Sequence, residues 1–134
     1  MQTVELTYRT GNTPTVVDIT GDAAGFVAGK GDGVLIVFAP HATAGIALVE
    51  VGASSERDLL EHLDVLFPPD DRWHHRHGSP GHGADHVIPA FLSPSVSIPV
   101  LGGVMTLGTW QSVVLVDPNR DNPNRRVRLA FIAG

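Results

Sequence analysis

The chain of 134 residues has no cysteine and only one lysine, Lys30. The lack of cysteine excludes disulfides and thiolate metal sites, so any metal ion must bind to histidine, aspartate or glutamate. Nine basic and 14 acidic residues give a formal net charge of −5. Because nucleic-acid binding depends on a basic patch, we expect no nucleic-acid partner. A small anion remains a candidate ligand, since Arg125, Arg126 and Arg128 lie close together in the sequence.

Long hydrophobic runs are also missing. No apolar stretch approaches the roughly 20 residues that a membrane-spanning helix requires, so we expect a cytoplasmic protein with no membrane partner. A hydrophobic content of 43% and a charged content of 17% are typical of a globular protein. The length fits one domain, and we expect residues 1–134 to form it around a single core.

Strand patterns dominate both ends of the chain. Alternating apolar residues predict an opening hairpin from residues 4–8 and 17–19, and "VLIVFAP" predicts a strand that is buried on both faces. Residues 43–51 and 104–117 are further predicted strands, and a Gly-Gly turn at 102–103 predicts another hairpin. Helical spacing of leucines predicts a helix capped by Ser54 or Ser55. The pattern predicts an α+β fold of mainly antiparallel sheets, with about eight strands and two to three short helices.

Histidine is concentrated in one irregular segment. Five of the seven lie between residues 70 and 87: His74, His75, His77, His82 and His86. Zinc, nickel and iron accept imidazole, and catalytic sites commonly combine three protein ligands with one position for water. His75 and His77 share a side in an extended chain, His82 and His86 share one in a helix, and His41 is the distant candidate partner. The alternative is a solvated loop without a metal.

Other polar residues have both a functional and a structural interpretation. Glu50 closes an apolar strand, where it is a candidate base, ligand or partner of a histidine, or simply an exposed strand end. Trp110 and Gln111 are predicted in mid-strand, where Gln111 needs a hydrogen-bond partner if buried. Arg125 or Arg126 can clamp an anion with its planar guanidinium, or can belong to a solvated edge strand.

Four stretches together resemble the YjbQ-like family, also called secondary thiamine-phosphate synthases. They are "DGVLIVFAPHATAGIALVE", the loop ending "HGADHV", "SPSVSIPVLGGVMTLGTWQSVVLVD" and "PNRRVRLAFIAG". The resemblance covers residues 15–134 and is most specific between Ser95 and Gln111. It implies an α+β homotrimer with polar residues gathered near subunit boundaries.

The resemblance also implies site residues. His41, His75 and His86 match the three family histidines, which makes them the expected metal ligands and, with Glu50, the expected catalytic residues. Asp117 matches the acidic residue that follows the Trp-Gln pair. Expected substrate-binding residues are Thr43, His82, Trp110, Gln111 and Arg126. His82 stands where the family usually has asparagine, and His74 and His77 are expected to be incidental.

The implied reaction joins hydroxymethylpyrimidine diphosphate to a thiazole phosphate, releasing diphosphate and forming thiamine phosphate. A divalent ion, zinc or magnesium, together with Arg126 would neutralise the leaving group. Two alternatives remain open: a histidine-ligated metal hydrolase or lyase of unknown substrate, and a non-catalytic trimer that binds an anion or a metal. The partner in each case is a small, phosphorylated or anionic molecule.

Overall fold

The structure, a computed structural model, describes residues 1–134 as eight strands and three α-helices. The strands are β1 (Gln2–Arg9), β2 (Thr15–Asp18), β3 (Gly33–Phe38), β4 (Gly45–Val49), β5 (Ser95–Leu101), β6 (Val104–Met105), β7 (Ser112–Asp117) and β8 (Asn124–Ala133). The helices are α1 (Thr20–Val27), α2 (Ser55–Leu66) and α3 (His82–Asp85), and a short 3₁₀ helix covers Ile88–Ala90. The predicted α+β class, with mainly antiparallel sheets, is confirmed.

Two antiparallel sheets form the body of the molecule. The larger has the order β1-β8-β3-β5-β6 and the smaller the order β2-β7-β4. The predicted opening hairpin was wrong, because β1 pairs with β8 and β2 pairs with β7. Alternation identified both strands, but their polar-out, apolar-in pattern carries no information about which strand lies alongside. The predicted hairpin at Gly102–Gly103 is confirmed, since β5 pairs with β6 and both glycines have positive φ.

The main core lies between the sheets and α1. Leu35, Ile98 and Leu129 from the larger sheet meet Ile46 and Leu115 from the smaller one. A second, smaller cluster lies on the opposite face of β7, where Val114 and Val116 pack with Leu63 of α2 and with Ile88. Strand β7 is therefore covered on both faces, which explains its continuous apolar sequence. No helix is long and apolar enough to cross a membrane.

A buried ion pair joins the end of β7 to the start of β8. Arg125 donates from Nε to Asp117 Oδ2 at 2.9 Å and from Nη2 to Asp117 Oδ1 at 2.8 Å. The same guanidinium donates to Thr43 Oγ1 at 2.8 Å, and the Thr10 hydroxyl donates to Asp117 Oδ2 at 2.6 Å. Asp117 is 0% and Arg125 1% exposed. Saturating these groups with hydrogen bonds offsets the cost of burying two charges.

The two neighbouring arginines should differ in their effect on stability. Arg125→Met leaves the Asp117 carboxylate buried and uncompensated, which we expect to lower the free energy of unfolding by about 3–5 kcal/mol. Arg126→Met is the matched control, because the Arg126 side chain is 54% exposed and reaches Glu5 only at 3.5 Å; its loss should cost less than about 1 kcal/mol. Urea unfolding of the three proteins measures both values, and equal small losses would contradict this account of the ion pair.

Candidate metal site

Four imidazoles converge in the segment between α2 and β5. His75, His77, His82 and His86 each offer a ring nitrogen, and these four nitrogens all lie within 4.8 Å of one another. The ring centroids are 4.0 to 5.8 Å apart. A tetrahedral zinc site holds its nitrogen ligands about 2.0–2.1 Å from the ion, or about 3.3 Å from each other. The four rings, which we call the histidine cluster, can therefore close on one ion through small side-chain movements.

Helix α3 fixes two members of the histidine cluster. His82 begins the helix and His86 caps its end, so a spacing of four residues places both rings on one side. Their Nε2 atoms lie 2.8 Å apart, which is hydrogen-bond distance and requires a single proton between them. His82 is buried, with 8% exposure.

The outer nitrogen of His82 is held by polar neighbours. Nδ1 lies 3.0 Å from Asp121 Oδ2 and 2.9 Å from Asn119 Nδ2. Asn119 has its amide fixed, because its Oδ1 accepts from the backbone N–H of Asp121 and of Asn122. The site thus supports two tautomers: Nδ1–H donating to Asp121, which leaves Nε2 free for a metal, or Nδ1 accepting from Asn119, with Nε2–H pointing at His86.

A glycine allows the loop that carries His75 to pack against α3. A Cβ atom at Gly83 would lie 2.5 Å from Trp73 Cβ and 2.6 Å from the carbonyl oxygen of His75. Only glycine leaves room for this close approach, so Gly83 brings the His75 ring to within 4.1 Å of the His86 ring, centroid to centroid. Trp73 secures the same loop by donating from Nε1 to the Pro68 carbonyl at 2.8 Å.

Desolvation and mutual proximity keep imidazoles of the cluster neutral. Desolvation, followed by the neighbouring rings of His77 and His82, lowers the pKa of His75. Desolvation and then the rings of His75 and His82 lower the pKa of His86. Neutral imidazole is the form that binds metal, so the cluster favours coordination over protonation.

Carboxylates surround the cluster. Asp121 accepts from the Ser79 backbone N–H at 3.0 Å, and this hydrogen bond lowers its pKa. Burial raises the pKa of Asp85 to about 6, against the opposing effect of the Asn119 amide that donates to it at 3.2 Å. Asp70 and Asp71 line the adjoining cleft. A cation placed among neutral imidazoles would gain from these nearby negative charges.

A polar cleft of about 250 Å³ opens onto the cluster. Its 12 lining residues include His75, His77 and His82, and only one of the 12 is hydrophobic. Arg76 brings a cation to the cleft and donates from Nε to the Trp73 carbonyl at 3.2 Å. A small polar or anionic molecule is the kind of ligand that fits such a lining.

The expected ligand His41 is not a member of the histidine cluster. It lies in the loop between β3 and β4, where its Nε2 accepts from the Arg126 backbone N–H at 2.8 Å. Burial, followed by the charges of Arg125 and Arg126, lowers its pKa. Its role as a metal ligand or catalytic residue stays a prediction. Thr43, expected to bind substrate, is buried and accepts from Arg125.

The remaining predicted site residues lie apart from the histidine cluster. Glu50 is exposed immediately after β4 and makes no hydrogen bond. Arg126 forms an ion pair with Glu5. Trp110 and Gln111 were wrongly placed in mid-strand: they lie in the turn before β7, where Gln111 Oε1 accepts from the Gly108 N–H and Trp110 is 72% exposed. Leu107, Gly108 and Thr109, which precede them, separate β6 from β7 and so interrupt the strand predicted over residues 104–117. Their predicted roles in substrate binding remain predictions.

Three residues of the site went unrecognised in the sequence. His77, expected to be incidental, belongs to the histidine cluster. The signal was its two-residue spacing from His75, which already placed both rings on one side of an extended chain. Asn119 and Asp121 lie in the turn "DPNRDNPN", where a turn function accounts for both residues and no local pattern links them to His82.

Two packed antiparallel sheets and a cluster of four imidazoles beside a cleft define an α+β protein with a candidate transition-metal site. The chain belongs to the YjbQ-like family, UPF0047, whose family model matches residues 4–134. A UPF0047 protein of Mycobacterium tuberculosis is 56% identical over 119 residues, covering 89% of this chain and 90% of that protein. One from Methanothermobacter thermautotrophicus is 34% identical over 136 residues, covering 98% and 92%.

Solved structures agree with this fold. A hypothetical protein from Aeropyrum pernix is similar over 100% of both chains, with a TM-score of 0.88 and 31% identity. A YbjQ-like protein of unknown function from Sulfolobus solfataricus has a TM-score of 0.91 at 24% identity, covering 99% of this chain and 97% of that one; at this identity the likeness concerns the fold alone. Membership therefore establishes architecture and leaves the chemistry to be argued from the site.

Asp85 should contribute less to the stability of the metal-free protein at neutral pH than in weak acid. Its pKa is raised from 3.8 to about 6 in the fold, so the folded state binds the proton more tightly than the unfolded state. Stability from this group is full below pH 3.8 and is lost as the pH rises through 6. Asp85→Asn keeps the acceptor for Asn119 and should raise the free energy of unfolding at pH 7.5 by roughly 1–2 kcal/mol after solvent screening.

Thermal unfolding in the presence of a chelator, at about pH 4 and about pH 7.5, measures the effect of Asp85→Asn on either side of the raised pKa. Asp64→Asn, on the exposed face of α2, is the control and should change stability equally at both pH values. A gain for Asp85→Asn that is no larger at the higher pH than at the lower one would refute the assignment.

Proposed function

We propose that the protein is a metal-dependent enzyme acting on a small polar substrate, with the ion bound by the histidine cluster. The observation that carries the proposal is the convergence of four imidazole nitrogens within 4.8 Å. Four imidazoles from one loop and one short helix lie at a spacing from which they can turn their ring nitrogens toward a single cation. A cation bound there would also restrain a loop that has no helix or strand of its own.

The donor set selects the class of metal. Nitrogen-only ligation favours zinc and its neighbours in the first transition row, whereas magnesium prefers an octahedron of oxygen ligands. Of the two ions expected from the sequence, zinc fits the histidine cluster and magnesium does not. Asp121 supports this choice, because a carboxylate that accepts from the outer N–H of a histidine is a recurrent partner of zinc ligands.

The surrounding residues support hydrolysis at a carbonyl or phosphoryl group, or elimination of a group next to a carbonyl. Zinc supplies a Lewis acid and an activated water at neutral pH. Arg76 binds a negative group on the substrate from the cleft wall, beside the imidazoles of His75 and His77. Asp121 can accept the Nδ1 proton of His82 and so hold it on the side away from the reacting atoms, whereas the Asn119 amide donates to Nδ1 in the other tautomer.

Thiamine-phosphate synthesis is the second candidate. It is favoured by the resemblance of the motifs and by Arg76, which with a bound cation gives the cleft two positive groups for a leaving diphosphate. The arginine that the resemblance assigns to this task, Arg126, does not line the cleft, and Arg125 is buried and neutralised by Asp117. For that reason we rank hydrolysis or elimination first.

A homotrimer is part of the same proposal. The outer face of the five-stranded sheet carries Val34, Phe38 and Ile132, which are 39%, 37% and 45% exposed, and Val34 lies directly opposite Ile132 on the neighbouring strand. Strand β3 was expected to be buried on both faces, and one chain alone covers only one of them. A partner subunit on this face would complete the burial.

Metal binding and turnover should both depend on α3. We expect the wild type to bind one zinc ion per chain, and His82→Ala or His86→Ala to weaken binding by at least about 100-fold through loss of a ligand. His62→Ala is the control, since His62 lies on α2 and bonds to the Asp58 carbonyl. Isothermal titration with zinc measures this. A zinc affinity that is unchanged in the α3 variants contradicts the proposed site.

Turnover assays then separate the candidate activities. Chromogenic carboxylic and phosphate esters test hydrolysis, and hydroxymethylpyrimidine diphosphate with thiazole phosphate tests synthesis. We expect zinc-dependent ester turnover that is lost in His82→Ala and kept in His62→Ala. Formation of diphosphate and thiamine phosphate would instead support the second candidate, thiamine-phosphate synthesis, and would contradict hydrolysis as the activity. Tight zinc binding with no turnover of any kind would identify a binding protein and contradict the enzyme assignment.

The oligomeric state tests the outer face of the larger sheet. With a chain mass of 14.2 kDa, we expect light scattering to give three times that mass for the wild type. Phe38→Lys replaces one of the exposed apolar side chains of this face with a cation directly opposite Arg128, and should give the mass of one chain. Val65→Lys is the control, since Val65 is 71% exposed on α2 and should leave the trimer intact. A monomeric wild type, or an unaffected Phe38→Lys variant, argues against the trimer.

A further inference from the structure

The four members of the histidine cluster differ in how firmly they are held. His82 is buried and its outer nitrogen contacts Asp121 and Asn119. His86 follows it by one turn of α3, with its ring nitrogen 2.8 Å from that of His82. His77 is exposed, and its ring makes no hydrogen bond to any other group. The ring of His75 makes no hydrogen bond either, so His75 and His77 are the two ligand candidates whose rings can move while α3 stays in place.

The chain around His77 supports this freedom. His77 lies in a segment without helix or strand, and Gly78 follows it at a φ of +81°. His75, in the same segment, is restrained by the close approach of its own backbone to Gly83. Asp121 holds the chain after His77 through the Ser79 N–H, but the exposed His77 ring itself makes no hydrogen bond, so a rotation about its side-chain bonds can remove the ring without disturbing α3.

Coordination chemistry gives the movement a consequence. Four protein ligands close a tetrahedral zinc site, whereas catalytic zinc keeps three protein ligands and one position for water or substrate. The cleft is lined by His77, His75, His82 and Arg76, while His86 is not part of its wall. A molecule that enters the cleft meets the most exposed ring of the cluster beside the arginine that attracts anions.

We propose that His77 is an exchangeable fourth ligand, which closes the metal site at rest and leaves when a small anion enters beside Arg76. The inference rests on the proposed function, because it needs a metal ion in the histidine cluster. The His75, His82 and His86 rings keep the ion, and the position vacated by His77 takes the anion. Nearby His74 is exposed and lies outside the cluster.

Cobalt(II) in place of zinc tests the exchange without an activity assay. We expect the wild type, His74→Ala and His77→Ala to bind one cobalt ion each, with the affinity of His77→Ala reduced no more than about 10-fold. His77→Ala should show a changed visible absorption spectrum, because water replaces one nitrogen ligand. Azide, as a small anionic probe, should bind the cobalt of His77→Ala at least about 10-fold more tightly than that of the wild type or of His74→Ala, because the open position is already available.

The outcomes separate this inference from the proposed function. If the wild type binds no cobalt, both fail. If cobalt binds but His77→Ala has the spectrum and azide affinity of the wild type, His77 is not a ligand and only this inference fails. If His77→Ala loses cobalt as completely as His82→Ala, His77 is a permanent ligand and the exchange is refuted.

Discussion

The hydrogen-bonded carboxylate of Asp117 connects the fold to the candidate site. It accepts from the Arg125 guanidinium and from the hydroxyl of Thr10, and its Oδ1 also accepts from the Asn119 backbone N–H at 3.0 Å. Asn119 in turn reaches His82. The ends of β7 and β8, the loop after β3 and the histidine segment therefore share one buried polar network. Networks of this kind stabilise a structure only when every member is satisfied, and here each member is.

The same network explains why a short helix can present two histidines accurately. Helix α3 has only 4 residues, too few for a stable helix in isolation. Its position comes from Asn119 and Asp121 on one side and from the loop packed at Gly83 on the other. Rigid surroundings of this sort are what a metal site requires, because the outer contacts of a ligand set both its orientation and its tautomer.

Sequence periodicity predicted the strands, the helices and the Gly-Gly hairpin, because these depend on local patterns of apolar and turn residues. It failed for the partner of β1, which is β8, at the far end of the chain. Periodicity left Arg125 and Arg126 as alternatives, and only the resemblance singled out Arg126: side-by-side arginines on a strand point to opposite faces, and only the register decides which one is buried. His77 was discounted because the resemblance matched three other histidines, although its two-residue spacing from His75 had placed both rings on one side of an extended chain.

The central claim is that imidazoles from residues 75 to 86 bind one transition-metal ion. X-ray absorption at the zinc edge of the zinc-loaded protein tests it most directly. The account predicts a first shell at about 2.0 Å made mostly of nitrogen, with the outer-shell scattering of three to four imidazole rings. A first shell of oxygen atoms, with one imidazole or none, would contradict it.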